Sequence, residues 1–133
     1  MGHKENYERL PDSELLIMQI IWQSRKAVGT GSIVEQVCEQ KDWSRSTVQV
    51  LLTRLEERGF IEIKKKGRLN YYVPLVKEEE YLSKETKTFL DQFYGSSYKK
   101  LIASLVQRKE ITEEDIDDII HIIKDAKGGE ENE

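Results

Sequence analysis

Apolar positions along the chain form a series of helix-spaced clusters interrupted once by a segment that alternates. Leu15, Leu16, Ile17, Met18, Ile20, Ile21 and Trp22 follow Asp12. They are too dense to alternate, so they predict a buried helix over roughly 12–24 with Asp12 as its N-cap. Val28-Gly29-Thr30-Gly31 breaks that run. Thr30 is then expected to cap a second helix carrying Ile33, Val34, Val37 and Cys38 and ending near Lys41. Ser44 is an N-cap candidate for a third helix to about Arg58, where Gly59 stands as the stop. Phe60-Ile61-Glu62-Ile63-Lys64-Lys65-Lys66 begins by alternating. Gly67-Arg68 reads as a turn, Leu69-Asn70-Tyr71-Tyr72-Val73 as a strand, and Pro74 as its end, which together make a β-hairpin.

Beyond Val76 the pattern turns helical again. Tyr81, Leu82, Phe89, Leu90, Phe93 and Tyr94 mark a helix over about 76–94, closed by Gly95-Ser96-Ser97. Leu101, Ile102, Leu105 and Val106 mark a fifth helix. Thr112 opens a T-x-x-D cap before a sixth, with Ile116, Ile119, Ile120, Ile122 and Ile123. Three helices followed by a hairpin is the winged-helix order. The expected class is therefore mainly α: a winged helix-turn-helix domain over 1–74 with a two-stranded β-wing, a three-helix domain over 75–127, and a disordered tail over 128–133. The last three helices hold too few apolar residues to build a core alone, which points to dimerisation through their oily stripes. Tyr81, Leu82, Phe89, Leu90, Phe93, Leu101, Leu105, Ile116, Ile119, Ile120 and Ile123 are the residues expected there.

Charge sharpens this division. The 133 residues carry a net charge of −4, with 38% hydrophobic and 35% charged residues. Residues 1–74 hold 12 Lys and Arg against 10 Asp and Glu, whereas 75–133 hold 9 against 15. Within 43–72 the balance is +4, from Arg45, Arg54, Arg58, Lys64, Lys65, Lys66 and Arg68 against Glu56, Glu57 and Glu62. Phosphate binding depends on this local field and not on the total.

The third helix has two unlike faces. Val48, Leu51, Leu52 and Leu55 recur at i, i+3, i+4 and i+7 and form a buried stripe. The opposite face carries Ser46, Gln49, Val50 and Thr53, flanked by Arg45, Thr47 and Arg54. Such a face suits a major groove: Gln pairs with adenine, Ser and Thr bond phosphate or base, and Val meets a thymine methyl. Ser44 and the helix N-terminus, with Arg54, suit phosphate. Lys64, Lys65, Lys66 and Arg68 at the hairpin tip then form a phosphate clamp. One of Tyr71 and Tyr72 enters the core and the other reaches outward, and Tyr72 is placed with the DNA-binding residues.

The run Lys41-Asp42-Trp43-Ser44-Arg45-Ser46-Thr47-Val48-Gln49-Val50-Leu51-Leu52-Thr53-Arg54-Leu55 resembles the third helix of the BlaI/MecI/CopY family, the penicillinase- and copper-operon repressors. Gly59-Phe60-Ile61, Tyr71-Tyr72-Val73-Pro74-Leu75-Val76 and the Leu15-to-Trp22 block are similar to it as well, so the likeness covers about residues 10–125. It implies a homodimer that binds a palindromic double-stranded operator, represses transcription and controls β-lactam resistance genes. It also implies release by a regulatory protease or sensor that cuts the fifth helix. Ser104-Leu105 stands where those repressors carry the cleaved Asn-Phe bond. Ser46 and Gln49 stand where the family often has basic residues, and Val50 where it often has Thr. The C-terminal cysteine cluster of the copper-responsive members is missing past Cys38.

A winged-helix protein-interaction module without DNA is the rival reading, since fold does not fix function. An enzyme is not expected: the chain offers no nucleophile–base pair, metal-ligand cluster, phosphate-binding glycine motif or carboxylate pair in a pocket. No cofactor, metal, small-molecule substrate or membrane partner is expected either. The charged Met1–Arg9 start and the lack of a long apolar run suggest a cytoplasmic protein. Cys38 reads as a core residue, with a thiol sensor as the alternative. His121 reads as structural.

Overall fold

The computed structural model describes residues 8–131. In chain order the elements are α1 (Asp12–Gln23), β1 (Val28–Gly29), α2 (Thr30–Cys38), α3 (Arg45–Glu57), β2 (Ile61–Lys66), β3 (Leu69–Pro74), α4 (Glu78–Phe93), α5 (Tyr98–Gln107) and α6 (Glu113–Glu131). The chain divides into two compact units, one ending at Glu85 and one beginning at Thr86.

In the first unit, Ile17, Met18 and Ile21 of α1, Ile33 and Val37 of α2, and Val48, Leu52 and Leu55 of α3 meet in one core. The sheet runs β1-β3-β2, antiparallel throughout. The short first strand went unforeseen: Val28 pairs with Tyr72 and Gly29 with Tyr71, adding an edge to the two-stranded wing. Gly59, at φ +82°, ends α3, and the Phe60 amide returns to the Leu55 carbonyl. That left-handed step is natural to glycine and swings the chain straight into β2.

Two expected caps belong elsewhere. Pro11 and Gly29 occupy the N-cap positions of α1 and α2, and neither supplies a side-chain bond, so Asp12 and Thr30 are first-turn residues. Ser44 does cap α3, accepting the Thr47 N–H at 3.1 Å. Cys38 is exposed, one position past the buried Val37, with its thiol 3.8 Å from the Trp43 carbonyl oxygen. A helical step of about 100° carries it off the buried face that Ile33 and Val37 share.

The expected boundary after Pro74 lies inside the first unit. Val76 and Tyr81 belong to its core. Trp22 donates its indole N–H to the Val76 carbonyl at 2.8 Å, and Leu10 donates its amide to the Tyr81 hydroxyl at 2.8 Å. The Tyr81 ring packs against Trp22 at 5.6 Å and edge-on to Phe60 at 5.8 Å. Tyr81 is thus enclosed by its own chain and cannot serve a dimer contact.

One buried charge ties α1 to the residue that caps the end of α3. Glu14 of α1 is 1% exposed, and its carboxylate takes the Arg58 Nε–H at 2.7 Å. That hydrogen bond raises the Arg58 pKa further, so the guanidinium stays charged. Removing one partner of a buried pair strands the other. Arg58→Ala is expected to cost about 2–3 kcal/mol, below the full buried-pair penalty because the Arg58 side chain is partly wet. Denaturant unfolding measures this. A similar loss from Arg58→Ala in a Glu14→Gln background would show that the pair is not its cause.

In the second unit Ser97 caps α5, accepting the Lys100 N–H. Thr112 and Asp115 form a reciprocal capping box: the Asp115 amide donates to the Thr112 hydroxyl and the Thr112 amide to the Asp115 carboxylate. The tail expected to be disordered from 128 is helical through Glu131, because a nucleated helix adds a hydrogen bond with each residue. Residues 132 and 133 lie outside the described residues. No helix among the described residues is long and apolar enough to cross a membrane.

Candidate nucleic-acid interface

The site is built on α3, which its inward stripe fixes in place. Val48, Leu51, Leu52 and Leu55 are all buried. That orientation forces Arg45, Ser46, Gln49, Val50, Thr53 and Arg54 onto one outward surface, with Glu57 at its far end. Val50 is 50% exposed, a large apolar side chain offered to solvent in the middle of a polar face. The Ser44 hydroxyl lies 3.0 Å from those of both Ser46 and Thr47, so the first turn carries a tight hydroxyl cluster. The Thr53 hydroxyl donates to the Gln49 carbonyl at 3.0 Å, which leaves its lone pairs as acceptors.

The wing places its cations by strand register. Lys66 faces Leu69 across the hairpin, Lys65 faces Asn70 and Lys64 faces Tyr71. The two-residue turn is Gly67-Arg68, with Gly67 at φ +67°, as a primed hairpin turn requires. Side chains alternate along a strand. Lys65 therefore shares the face of Ile61, Ile63 and Tyr72, while Lys64 and Lys66 take the other. Lys64, Lys65, Lys66 and Arg68 are all exposed, and Lys64 lies 3.9 Å from Glu62.

Helix and wing open onto one cleft of about 450 Å³, lined by Gly29, Thr30, Gly31, Ser32, Arg45, Gln49, Arg68, Leu69, Asn70 and Tyr71. Arg45, Gln49 and Arg68 were foreseen. Thr30, Ser32, Asn70 and Tyr71 were not placed in the site, although the strand alternation did single out the two tyrosines. The first-turn amides of α2 lie here, and such amides have no helical partner.

Tyr72 is a correction. It is fully buried and cannot reach a phosphate. Its partner across β2 is Ile63, on the core-facing side, and Tyr71 takes the outer position. The Tyr72 hydroxyl instead lies 3.5 Å from both the Thr30 hydroxyl and the Gln49 side-chain amide.

The residues expected at a dimer contact differ in exposure. Leu82, Phe89, Phe93, Ile119, Ile120 and Ile123 are exposed, and so is Ile122 at 67%. The Phe89 and Phe93 ring centroids lie 5.3 Å apart with the rings tilted by 47°, and Phe93 is 68% exposed. Leu101, Leu105 and Ile116 are half-buried, whereas Leu90 is buried. Ser104-Leu105 lies within α5, where Arg108 donates to the Ser104 hydroxyl at 2.6 Å. His121 is exposed. Among the described residues no group of three His, Cys, Asp or Glu side chains could hold a metal ion.

A capped third helix with a polar outer face, set beside a cationic hairpin, defines the class: a winged-helix regulator. The chain belongs to the penicillinase repressor family, whose model, described as "Penicillinase repressor", matches residues 10–125. It is 31% identical over 119 residues to the methicillin resistance regulatory protein MecI of Staphylococcus aureus (strain N315), covering 90% of this chain and 95% of that one. It is 25% identical to a penicillinase repressor of Bacillus licheniformis, covering 90% and 92%. Among solved structures, the DNA-binding domain of the repressor BlaI matches with a TM-score of 0.52 and 28% identity, over 59% of this chain and 94% of that one. Monomeric Bacillus licheniformis BlaI in complex with the blaP half-operator matches with a TM-score of 0.50 and 29% identity, over 57% and 92%.

Proposed function

We propose that this protein is a transcriptional repressor that binds a palindromic DNA operator as a homodimer, each copy reading one half-site. The observation that carries this reading is the shared cleft, in which the α3 face (Arg45, Gln49) and the wing (Arg68) line the same opening. In it α3 enters the major groove, with Ser46, Gln49, Val50 and Thr53 toward the bases. Ser44, Arg45, Thr47, Arg54, Lys64, Lys65, Lys66 and Arg68 lie toward phosphates. The half-operator complex of the Bacillus licheniformis relative supports the same use of this chain's first unit.

The second unit joins the two copies. Its exposed Phe89, Phe93, Ile119, Ile120 and Ile123 form more apolar surface than a lone chain has reason to expose. The regulated genes are those of β-lactam resistance, in keeping with the naming of the MecI relative. Release follows when a regulatory protease cuts Ser104-Leu105. Because that bond sits inside α5, the helix opens locally before the cut, and the cut then removes part of the dimer surface.

Cation contacts with phosphate release counterions, so the logarithm of affinity falls with the logarithm of salt by about 0.9 per contact. Lys65→Ala with Arg68→Ala is expected to weaken operator binding and to flatten that slope by about 2. Titrations at several salt concentrations measure it. An unchanged slope would remove the wing from the interface. Failure of the full chain to bind any duplex at low salt would favour a protein-interaction module instead. Selection of duplexes from a random pool tests the palindrome and its half-site spacing.

A further inference from the structure

We propose that Tyr72 is a positioning residue for sequence recognition: without touching DNA, its buried hydroxyl holds the Gln49 side chain over the base edge and so sets the preference at one base pair. The proposal rests on the DNA-binding reading above.

A buried phenol needs polar partners for its oxygen. Tyr72 has no exposed surface, and the neighbours of its hydroxyl are the Thr30 hydroxyl and Gln49 Nε2, each at 3.5 Å. Both groups donate to the Tyr72 oxygen, and both residues line the cleft between α2, α3 and the wing. The result is a short relay from the start of α2, through the sheet, to the middle of the recognition face.

Glutamine has several free torsions, and ordering them on binding weakens a contact. A partner at the root of the cleft removes part of that disorder before DNA arrives. It also chooses the amide orientation. With one Nε2 proton directed at Tyr72, Oε1 and the second Nε2 proton remain for the groove. Adenine matches that pair, its N6 amino group donating to Oε1 and its N7 accepting the proton. Both contacts to the Tyr72 oxygen are long, so the expected effect is moderate and confined to one position.

The experiment uses the full-length protein and duplexes carrying every single base-pair change in the selected half-site. Gln49→Ala identifies the base pair that Gln49 reads. Tyr72→Phe keeps the buried ring and removes only the hydroxyl. It is expected to reduce the preference for adenine at that same position by about three- to tenfold, the range for one hydrogen bond. Other positions and the salt slope stay as in the parent protein. Added to Gln49→Ala, Tyr72→Phe is expected to change nothing further, since neighbours acting through one contact are not additive.

A preference that survives Tyr72→Phe would overturn the proposal. So would a uniform loss at every position, or an effect that persists in the Gln49→Ala background. If Tyr72→Phe lowers the thermal midpoint enough to affect binding, Thr30→Val decides, because it breaks the relay at its solvent-side end. A smaller shift at the same base pair is then expected, and no shift would refute the relay. Absence of any sequence preference in the parent protein is a different result: it would remove the DNA-reading function itself.

Discussion

A chain ending at Glu85 is expected to remain folded and to bind a two-half-site operator about 10²–10⁴-fold more weakly than the full-length protein, because joining two binding modules makes the second contact intramolecular. The compact unit that closes at Glu85 holds α1 to α3, the three-stranded sheet and the first turns of α4. Everything assigned to the duplex lies within it, so a single half-site is expected to be bound equally well by the long and short chains. The comparison therefore needs both duplexes, titrated in a gel-shift series, with sedimentation to report the number of copies. Equal affinity of the two chains for the full operator would show that the second unit does not couple the half-sites. Loss of half-site binding in the short chain would place reading surface beyond Glu85.

Replacing Tyr81 by Ala is expected to lower stability by about 3–5 kcal/mol, the range for deleting a fully buried aromatic ring. The ring lies between Trp22 and Phe60, and the hydroxyl receives the Leu10 amide, so the substitution opens a cavity and strands a donor at once. Tyr81→Phe keeps the ring but still strands the Leu10 amide, so it is expected to lose a smaller amount, about 1–3 kcal/mol, the range for one unsatisfied buried donor. The two variants also differ in alkali. Burial, the largest influence, raises the Tyr81 pKa above its ordinary value of 10.0, ahead of the opposing effect of the Leu10 amide. The folded state thus favours the protonated phenol. Its contribution is complete below pH 10 and is lost as the pH rises through the higher folded value. Tyr81→Phe is expected to lack that component, so the stability gap between parent and variant narrows in strong alkali. Denaturant unfolding across that range measures it, and a constant gap would refute the assignment.

Periodicity made most of the winged-helix unit readable before any coordinates. Val48, Leu51, Leu52 and Leu55 recur with helical spacing, and packing needs one such stripe turned inward, so the outward face of α3 followed directly. Ser44 was recognisable because a serine at the head of a polar-apolar repeat has a specific job, binding a first-turn amide. The wing was readable from its alternation and its Gly-Arg turn.

The misses share a physical cause: local pattern does not say which neighbour covers a surface. β1 is two residues long, too short for alternation to register, and exists only because β3 offers it a partner. Tyr71 and Tyr72 are the same residue type, so alternation predicts that they part but not which one goes inward. The sheet register settles that by setting Tyr72 opposite Ile63. Pro74 ends a strand, but the compact unit runs on to Glu85. The oily side of α4 has the same periodicity whether the first unit or a second copy covers it, and for Tyr81 it is the first unit. Thr30 and Gln49 are 19 positions apart in sequence, and no local reading links them through a tyrosine another 23 positions on.

Alternation also puts the wing cations on both faces of the hairpin, Lys65 on the face of Ile63 and Tyr72 and Lys64 and Lys66 on the face of Tyr71. A hairpin charged on one side would lose its hold whenever it rocked. With both faces charged, and on the DNA-binding reading proposed above, a tilt that parts one ammonium from the sugar–phosphate rail would bring another closer, so the protein would drift along unrelated sequence without dissociating at each step. If the wing holds the operator as proposed, search along the chromosome would be a property of the same short turn, and its range would shrink as ionic strength rises.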